Sequence, residues 1–305
     1  MEDPDRHSAW DVVNVVQSDF NAEDEPLGTK EKFWVENPDD ETAWLFKFVR
    51  QVNGRVLGED WAEWIVCQVA QVVGVPAAVI RPAVCEERRG IVSRSVVPQN
   101  GRLVHGNSVM AARIEGYDTT TSRNNPAYTP SNVATALTDV ASPATELVPA
   151  GFSAYDVWAG YLLLDALVAG RDRHHENWGV ISTPTGRFLA ASYDHGNALG
   201  FQEHDEQRQR CLDSTEALER WAARGCSHHF AGKPALVSLA HEALSLTSPA
   251  ARDHWGNALE AFSEKDVEPI LEAVPGPLMS GVTRTFVSEL LLVNRRRLLD
   301  DYPTA

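Results

Sequence analysis

The segment AGRDRHHENWGVI, residues 169–181, sets Arg171, Asp172, Arg173, His174, His175 and Glu176 side by side, followed by Asn177, between two apolar stretches. Further along, RFLAASYDHG delivers another aspartate, Asp194, at the far end of what reads as a β-hairpin. A loop that precedes a hairpin lies close to the point where that hairpin returns. Asp172, Asn177 and Asp194 are therefore expected to meet as three oxygen-bearing side chains. Oxygen donors without thiolates suit a hard cation such as Mg²⁺, which shares its coordination sphere with substrate phosphates. A carboxylate not consumed by the metal can orient or deprotonate an attacking hydroxyl. That inventory matches phosphoryl transfer.

Each of these residues also has an ordinary explanation. Taken alone, an Asp and an Asn in a loop make a solvated turn. His174 and His175 are adjacent and no H-E-x-x-H occurs, so the loop lacks zinc spacing. CSHH at residues 226–229 offers metal ligands, but no second cluster has matching spacing. What favours chemistry is the order of parts. Lys47 sits mid-strand in WLFKFV, where alternation sends it to the face opposite Phe46 and Phe48. Glu63 lies one turn inside the next helix, too deep to be explained by the helix dipole alone. A lysine on a strand, a glutamate on the following helix, D-x-x-x-x-N after a long helix and then D-x-G is the sequential order of kinase parts.

These side chains need elements to position them. KFWVENPDDETAWLFKFV reads as a β-hairpin with its second strand near residues 43–49. GEDWAEWIVCQVAQVVGV places Trp61, Ile65, Val69 and Val72 at near-helical spacing, with Glu59 and Asp60 in the first turn and Gly74 as the stop. Two strands are expected around residues 77–80 and 90–97, and a hinge at 98–101. GYDTTTSRNNPAYTPSN reads as a mobile surface loop whose hydroxyls, within residues 119–129, are candidates for self-modification. Residues 155–169 should form a helix with Val157, Tyr161, Leu164 and Val168 on one stripe and Gly170 as its C-cap. WGVIS, TPTG and RFLAASYD read as a second hairpin, and segments near 213–224, 234–246, 249–263 and 283–301 as helices. The expected fold class is α+β: a small β-rich lobe over residues 1–97, then a larger, mainly helical lobe over 98–305, together one catalytic domain.

Bulk properties bound the partners. The chain has 305 residues and a formal net charge of -16, which opposes direct binding to nucleic acid or to an anionic membrane surface. Cys67, Cys85, Cys211 and Cys226 are scattered without a C-x-x-C pair, as for free thiols in a reducing compartment. The acidic start MEDPDRHSAW is unlike a signal peptide, and the most apolar run, residues 157–168, is too short to span a bilayer and contains Asp165. The expectation is a cytoplasmic protein.

Several segments resemble one family. DRHHEN is similar to the D-R-H-x-x-N catalytic loop of phosphoinositide 3- and 4-kinases and of the HipA-like protein kinases. GEDWAEWIVCQVAQVVGVPAA resembles the HipA-like segment whose glutamate pairs with the nucleotide-binding lysine. LGTKEKFWV resembles the phosphate-loop entry of small, single-chain HipA-like kinases, and FVSELLLVNRRRLL their closing helix. No G-x-G-x-x-G stands near the first hairpin, and the N-terminal subdomain of full-length HipA toxins has no counterpart. The resemblance implies a two-lobed kinase-like fold that uses ATP and Mg²⁺ to phosphorylate a Ser or Thr hydroxyl of a protein. It implies Asp172 as catalytic base, Asn177 and Asp194 as metal ligands, and Lys47, oriented by Glu63, on the nucleotide phosphates. Gly28, Thr29 and Lys30 would cradle phosphate through backbone N–H groups, and His174 would support the loop. A small-molecule kinase, a phosphoinositide kinase and a nucleotide-binding inactive scaffold are the alternatives. The mixed charge of HGNALGFQEHDEQRQR after Asp194 argues against a lipid substrate.

Overall fold

The computed structural model describes residues 9–16, 20–24 (backbone alone), 31–36 and 42–303; Gly28, Thr29 and Lys30 lie outside the described residues. The first part of the chain runs β1 (Val13–Val15), β2 (Phe20–Asp24), β3 (Lys32–Glu36), β4 (Ala43–Phe48), the two-residue pair β5 (Gln51–Val52) and β6 (Arg55–Val56), then α1 (Glu59–Val72), β7 (Ile80–Cys85) and β8 (Arg88–Arg94). The sheet order is β1-β7-β8-β4-β3-β2, with β1 parallel to β7 and the rest antiparallel. β3 and β4 form the expected hairpin, with Trp34 opposite Leu45 and Lys32 opposite Lys47.

Alternation then sorts the side chains of β4. Trp44 and Phe46 join Val15, Val35, Ala83, Cys85 and Val92 in a small apolar cluster on one face, with Phe33 stacked on Phe46. Lys47 goes to the other face, where α1 lies. α1 begins with Glu59 and Asp60 in its first turn and ends where Gly74 takes φ +75°, a left-handed stop. The first of the strands that follow starts later than the spacing predicts, at Ile80 rather than residue 77, and the second starts earlier, at Arg88 rather than residue 90. Ala77 instead bridges Ser192. Their shared turn, Glu86 at φ 49° and Glu87 at φ 65°, puts charged residues where glycine or asparagine is the usual signal.

The second part continues β9 (Arg102–His105), α2 (Gly106–Ala111), α3 (Pro130–Ala136), α4 (Ala154–Leu167), β10 (Gly179–Thr183) and β11 (Gly186–Leu189). It ends with α5 (Asp205–Leu212), α6 (Thr215–Ala223), α7 (Leu236–Ser245), α8 (Pro249–Ala261), α9 (Glu264–Ala273) and α10 (Gly281–Leu299). β9 adds to the predicted second hairpin to make a three-stranded sheet, β11-β10-β9.

α4 is the axis of the helical part. Ser153 and Asp156 form a reciprocal capping box at its start, and every residue of the helix is buried, not one stripe alone. Its left-handed terminal residue is Ala169, φ 54°, one position before the expected glycine. Gly160 lets Trp255 pack flat on the helix; a Cβ there would meet the indole at 2.6 Å.

The polar stretch at 116–132 is also unlike the expected mobile loop. Asn125 is buried and its Nδ2 donates to the carbonyls of Asp118 (2.9 Å) and Thr121 (3.1 Å). Asn124 and Asn125 donate their N–H groups to the carbonyls of His228 (2.8 Å) and His229 (3.0 Å). The Thr120 and Thr121 hydroxyls donate to Asp118. The segment is a strap fastened to residues 228–232. Its polarity serves internal hydrogen bonds that composition alone does not reveal.

Candidate active site

The charged loop is built around a buried ion pair. Asp165, in the last turn of α4, receives Arg173 Nε at 2.7 Å and Nη2 at 2.8 Å. Both side chains are buried, and the remaining arginine nitrogen Nη1 donates to the carbonyl of Asn177 at 2.8 Å. Tyr128 donates to the Arg173 carbonyl (3.2 Å) and in turn accepts from Trp178 Nε1 (2.9 Å). Burial opposes the charge on both partners, yet each stabilises the other, and the arginine stays above its ordinary value. A buried carboxylate inside the apolar run of α4 calls for a paired cation, a signal the sequence reading did not connect with Arg173.

Around this anchor the loop folds tightly. His174 N–H and Asn177 Nδ2 both donate to the Asp172 carbonyl, at 2.8 and 2.7 Å. His175 shares a 2.8 Å hydrogen bond with Tyr117, and the strap thus supports the loop from beneath. His174 Nδ1 accepts from the Glu176 N–H at 3.2 Å, and burial, ahead of the neighbouring charges, lowers its affinity for a proton.

Asp172 has a partner that pattern reading assigned elsewhere. His229, in the CSHH segment, shares a 3.0 Å hydrogen bond between Nε2 and Asp172 Oδ1, while its Nδ1–H donates to the Ser122 carbonyl at 2.6 Å. A carbonyl and an ionised carboxylate both only accept, so both ring nitrogens must carry hydrogen for the two bonds to form together. Burial alone raises the Asp172 carboxylate. The hydrogen bond from His229 and the charges of His174 and His229 outweigh it and hold Asp172 below the usual carboxylate range. Nothing in the spacing of residues 172 and 229 marks them as neighbours.

The second group of predicted residues meets across the sheet. Lys47 Nζ lies 3.2 Å from Glu63 Oε1 of α1 and 3.0 Å from Asp194 Oδ1. Lys47 is 8% exposed and Glu63 1%. Burial disfavours the ammonium, but the charges of Asp194 and Glu63 more than restore it, so the lysine stays cationic well above its ordinary range. Asp194 sits in the left-handed region at φ 62°. The neighbouring His195 is buried, bonds Ser192 Oγ through Nε2 at 2.7 Å, and is pushed down to about 3 by burial and by the Arg173 charge. It is a neutral packing residue at ordinary pH.

Asp172 and Asp194 line one narrow cavity together with Asp165, Arg173, His195 and Asn197. A larger cavity of about 430 Å³ lies apart from these residues, between Arg55, Trp61 and Arg89 on one side and Arg208 and Thr283 on the other. Size alone points there, but the convergent ionisable groups are in the smaller space. Asn177 and Asp194 carry oxygen donors of the kind a divalent cation takes, and of the two Asp194 lines the narrow cavity. The Asn177 amide nitrogen is spent on the Asp172 carbonyl, leaving its oxygen as the acceptor, and Asp194 is a partly exposed carboxylate. Among the described residues no group of three or more His, Cys, Asp or Glu side chains is close enough to hold a metal alone. A cation here would complete its shell with water and ligand phosphates, the usual habit of Mg²⁺.

No family model matches the sequence, and no curated protein matches it. Solved structures do. The proinflammatory kinase CtkA of Helicobacter pylori superposes with a TM-score of 0.73 at 15% identity, covering 95% of this chain and 96% of that one. HipA of Shewanella oneidensis MR-1, solved with HipB and operator DNA, superposes with a TM-score of 0.57 at 11% identity, covering 90% of this chain and 66% of HipA. The chain has a HipA-like kinase fold, α+β and two-lobed. Among the described residues no helix is long and apolar enough to cross a membrane.

Proposed function

We propose that this chain is an ATP- and Mg²⁺-dependent phosphotransferase that moves the γ-phosphoryl group to a Ser or Thr hydroxyl of a protein, in the cytoplasm. Residues 1–97 supply the nucleotide side and residues 98–305 the catalytic side. The observation that carries the reading is Lys47 Nζ lying between the carboxylates of Glu63 and Asp194, with Asp172 and Asn177 on the loop after α4. Glu63 holds the ammonium in place and Lys47 presents it to the nucleotide phosphates. Asp172 accepts the proton of the acceptor hydroxyl as its oxygen bonds the γ-phosphorus and the bond to ADP breaks. Asn177 and Asp194 would hold Mg²⁺, which when bound would neutralise charge on the phosphates. Arg173 and His229 keep Asp172 in place from behind. Gly28, Thr29 and Lys30 are proposed to bind phosphate through their N–H groups, and His174 to brace the loop.

Purified protein is incubated with Mg²⁺ and γ-labelled ATP, alone and with a cell lysate. Transfer is expected in the native chain and is expected to fall at least about a hundredfold in Asp172→Asn. Transfer unaffected by that substitution would overturn the reading. ATP binding without turnover on any hydroxyl would convert it to that of an inactive nucleotide-binding scaffold.

A further inference from the structure

Arg123, Arg171 and Lys233 all lie close enough to His228 for their charges to act on it, on a chain whose net charge is -16. Arg171 immediately precedes Asp172. Arg123 sits in the strap between Ser122, whose carbonyl receives His229, and Asn124, whose N–H donates to His228. Lys233 follows Gly232, whose N–H donates to Asn124 Oδ1 at 3.0 Å. One hydrogen-bonded unit therefore carries the strap, the 228–233 segment and, through the His229–Asp172 bond, the catalytic loop. Arg123, Arg171 and Lys233 are all exposed, and no carboxylate among the described residues pairs with any of them.

Asp118, the acid on the strap, forms no ion pair with any of the three. Asp118 already accepts from the Thr120 and Thr121 hydroxyls and from the Thr120 N–H. His228 registers the local excess: burial first, then the charges of Arg171, Arg123, His229 and Lys233, push its imidazole below the ordinary value. A cationic patch maintained on an acidic molecule is a complement for anionic groups.

We propose that Arg123, Arg171 and Lys233 form a docking patch for acidic side chains flanking the acceptor hydroxyl, so that the preferred substrate is a Ser or Thr within an Asp- and Glu-rich peptide. The inference rests on the phosphotransfer reading and names its substrate class. A nucleic acid is the less suitable polyanion. Its continuous phosphate backbone would run past this short patch onto acidic surface.

The test measures binding as well as transfer. Fluorescence anisotropy compares two labelled peptides with one central serine, one flanked by Asp and Glu, the other by Lys and Arg. The acidic peptide should bind roughly tenfold tighter at low ionic strength, as expected of a few exposed ion pairs, and lose most of that advantage in 1 M salt. Arg123→Glu/Lys233→Glu should reverse the order of the two peptides. The wild-type salt titration keeps the question decidable even if that variant does not fold. Equal binding of the two peptides, a preference insensitive to salt, or a single-stranded DNA of equal charge outcompeting the acidic peptide would overturn the proposal. Asp172→Asn should retain the peptide preference while losing transfer. Preference without Asp172-dependent transfer defeats only the phosphotransfer reading, and transfer without preference defeats only this one.

Discussion

Asp172 is ionised, in this geometry, throughout the neutral range, because its folded-state affinity for a proton is lowered. The ionised form is present above the depressed value and is lost only as pH falls through it. The acid limb of a kcat/KM profile should therefore lie below the ordinary carboxylate range. His229→Leu removes the hydrogen bond to that carboxylate. It should move the acid limb to higher pH and lower kcat/KM by roughly ten- to a hundredfold, the worth of a hydrogen bond to a charged group. A variant whose profile is unchanged would show that His229 only fills space. The Asp165–Arg173 pair gives a stability prediction of a different kind. Arg173→Met strands a carboxylate that is 6% exposed and should cost about 3–5 kcal/mol by urea unfolding, whereas Asp165→Leu/Arg173→Met should recover most of it.

Among the elements, α4 matters most, since it sets the position of the loop that carries Asp172. Ser153→Ala removes half of its capping box and should cost about 1 kcal/mol. Gly160→Ala forces a methyl against Trp255 and should cost about 1–3 kcal/mol, both measurable as losses in denaturant midpoint. The elements also show what a sequence can and cannot reveal. Strand alternation was enough to predict the face of Lys47, because Phe46 and Phe48 flank it. Helical spacing was enough for α1, because Gly74 ends it. The β7–β8 hairpin was hidden by a turn made of two glutamates. α5 was hidden because its sequence DEQRQRCL is almost wholly polar and buries only Arg208 and Cys211. α9 was obscured by Pro269 inside it. His229 could not be found by any periodicity, since its closeness to Asp172 depends on how the strap and the 228–232 segment pair.

At the scale of the whole molecule, the apolar side chains divide unequally. One continuous core joins α1 to α4, α7, α8 and α10, while a small separate cluster lies on the far face of the larger sheet. Local opening is cheapest where few buried contacts are broken. Amide hydrogen exchange should therefore be slowest in α4 and measurably faster in β1 and β3, whose apolar side chains belong to the smaller cluster. Equal protection across both would contradict this division.

The membership of α1 in the larger core bears on how such a molecule could be controlled. Twelve of its side chains, from Glu59 to Ala70, are buried. Rotating the helix to withdraw Glu63 from Lys47 would expose Trp61, Trp64 and Ile65 together. A switch that works by misaligning this helix would have to break those buried contacts. Restricting access to the cleft would leave that packing intact.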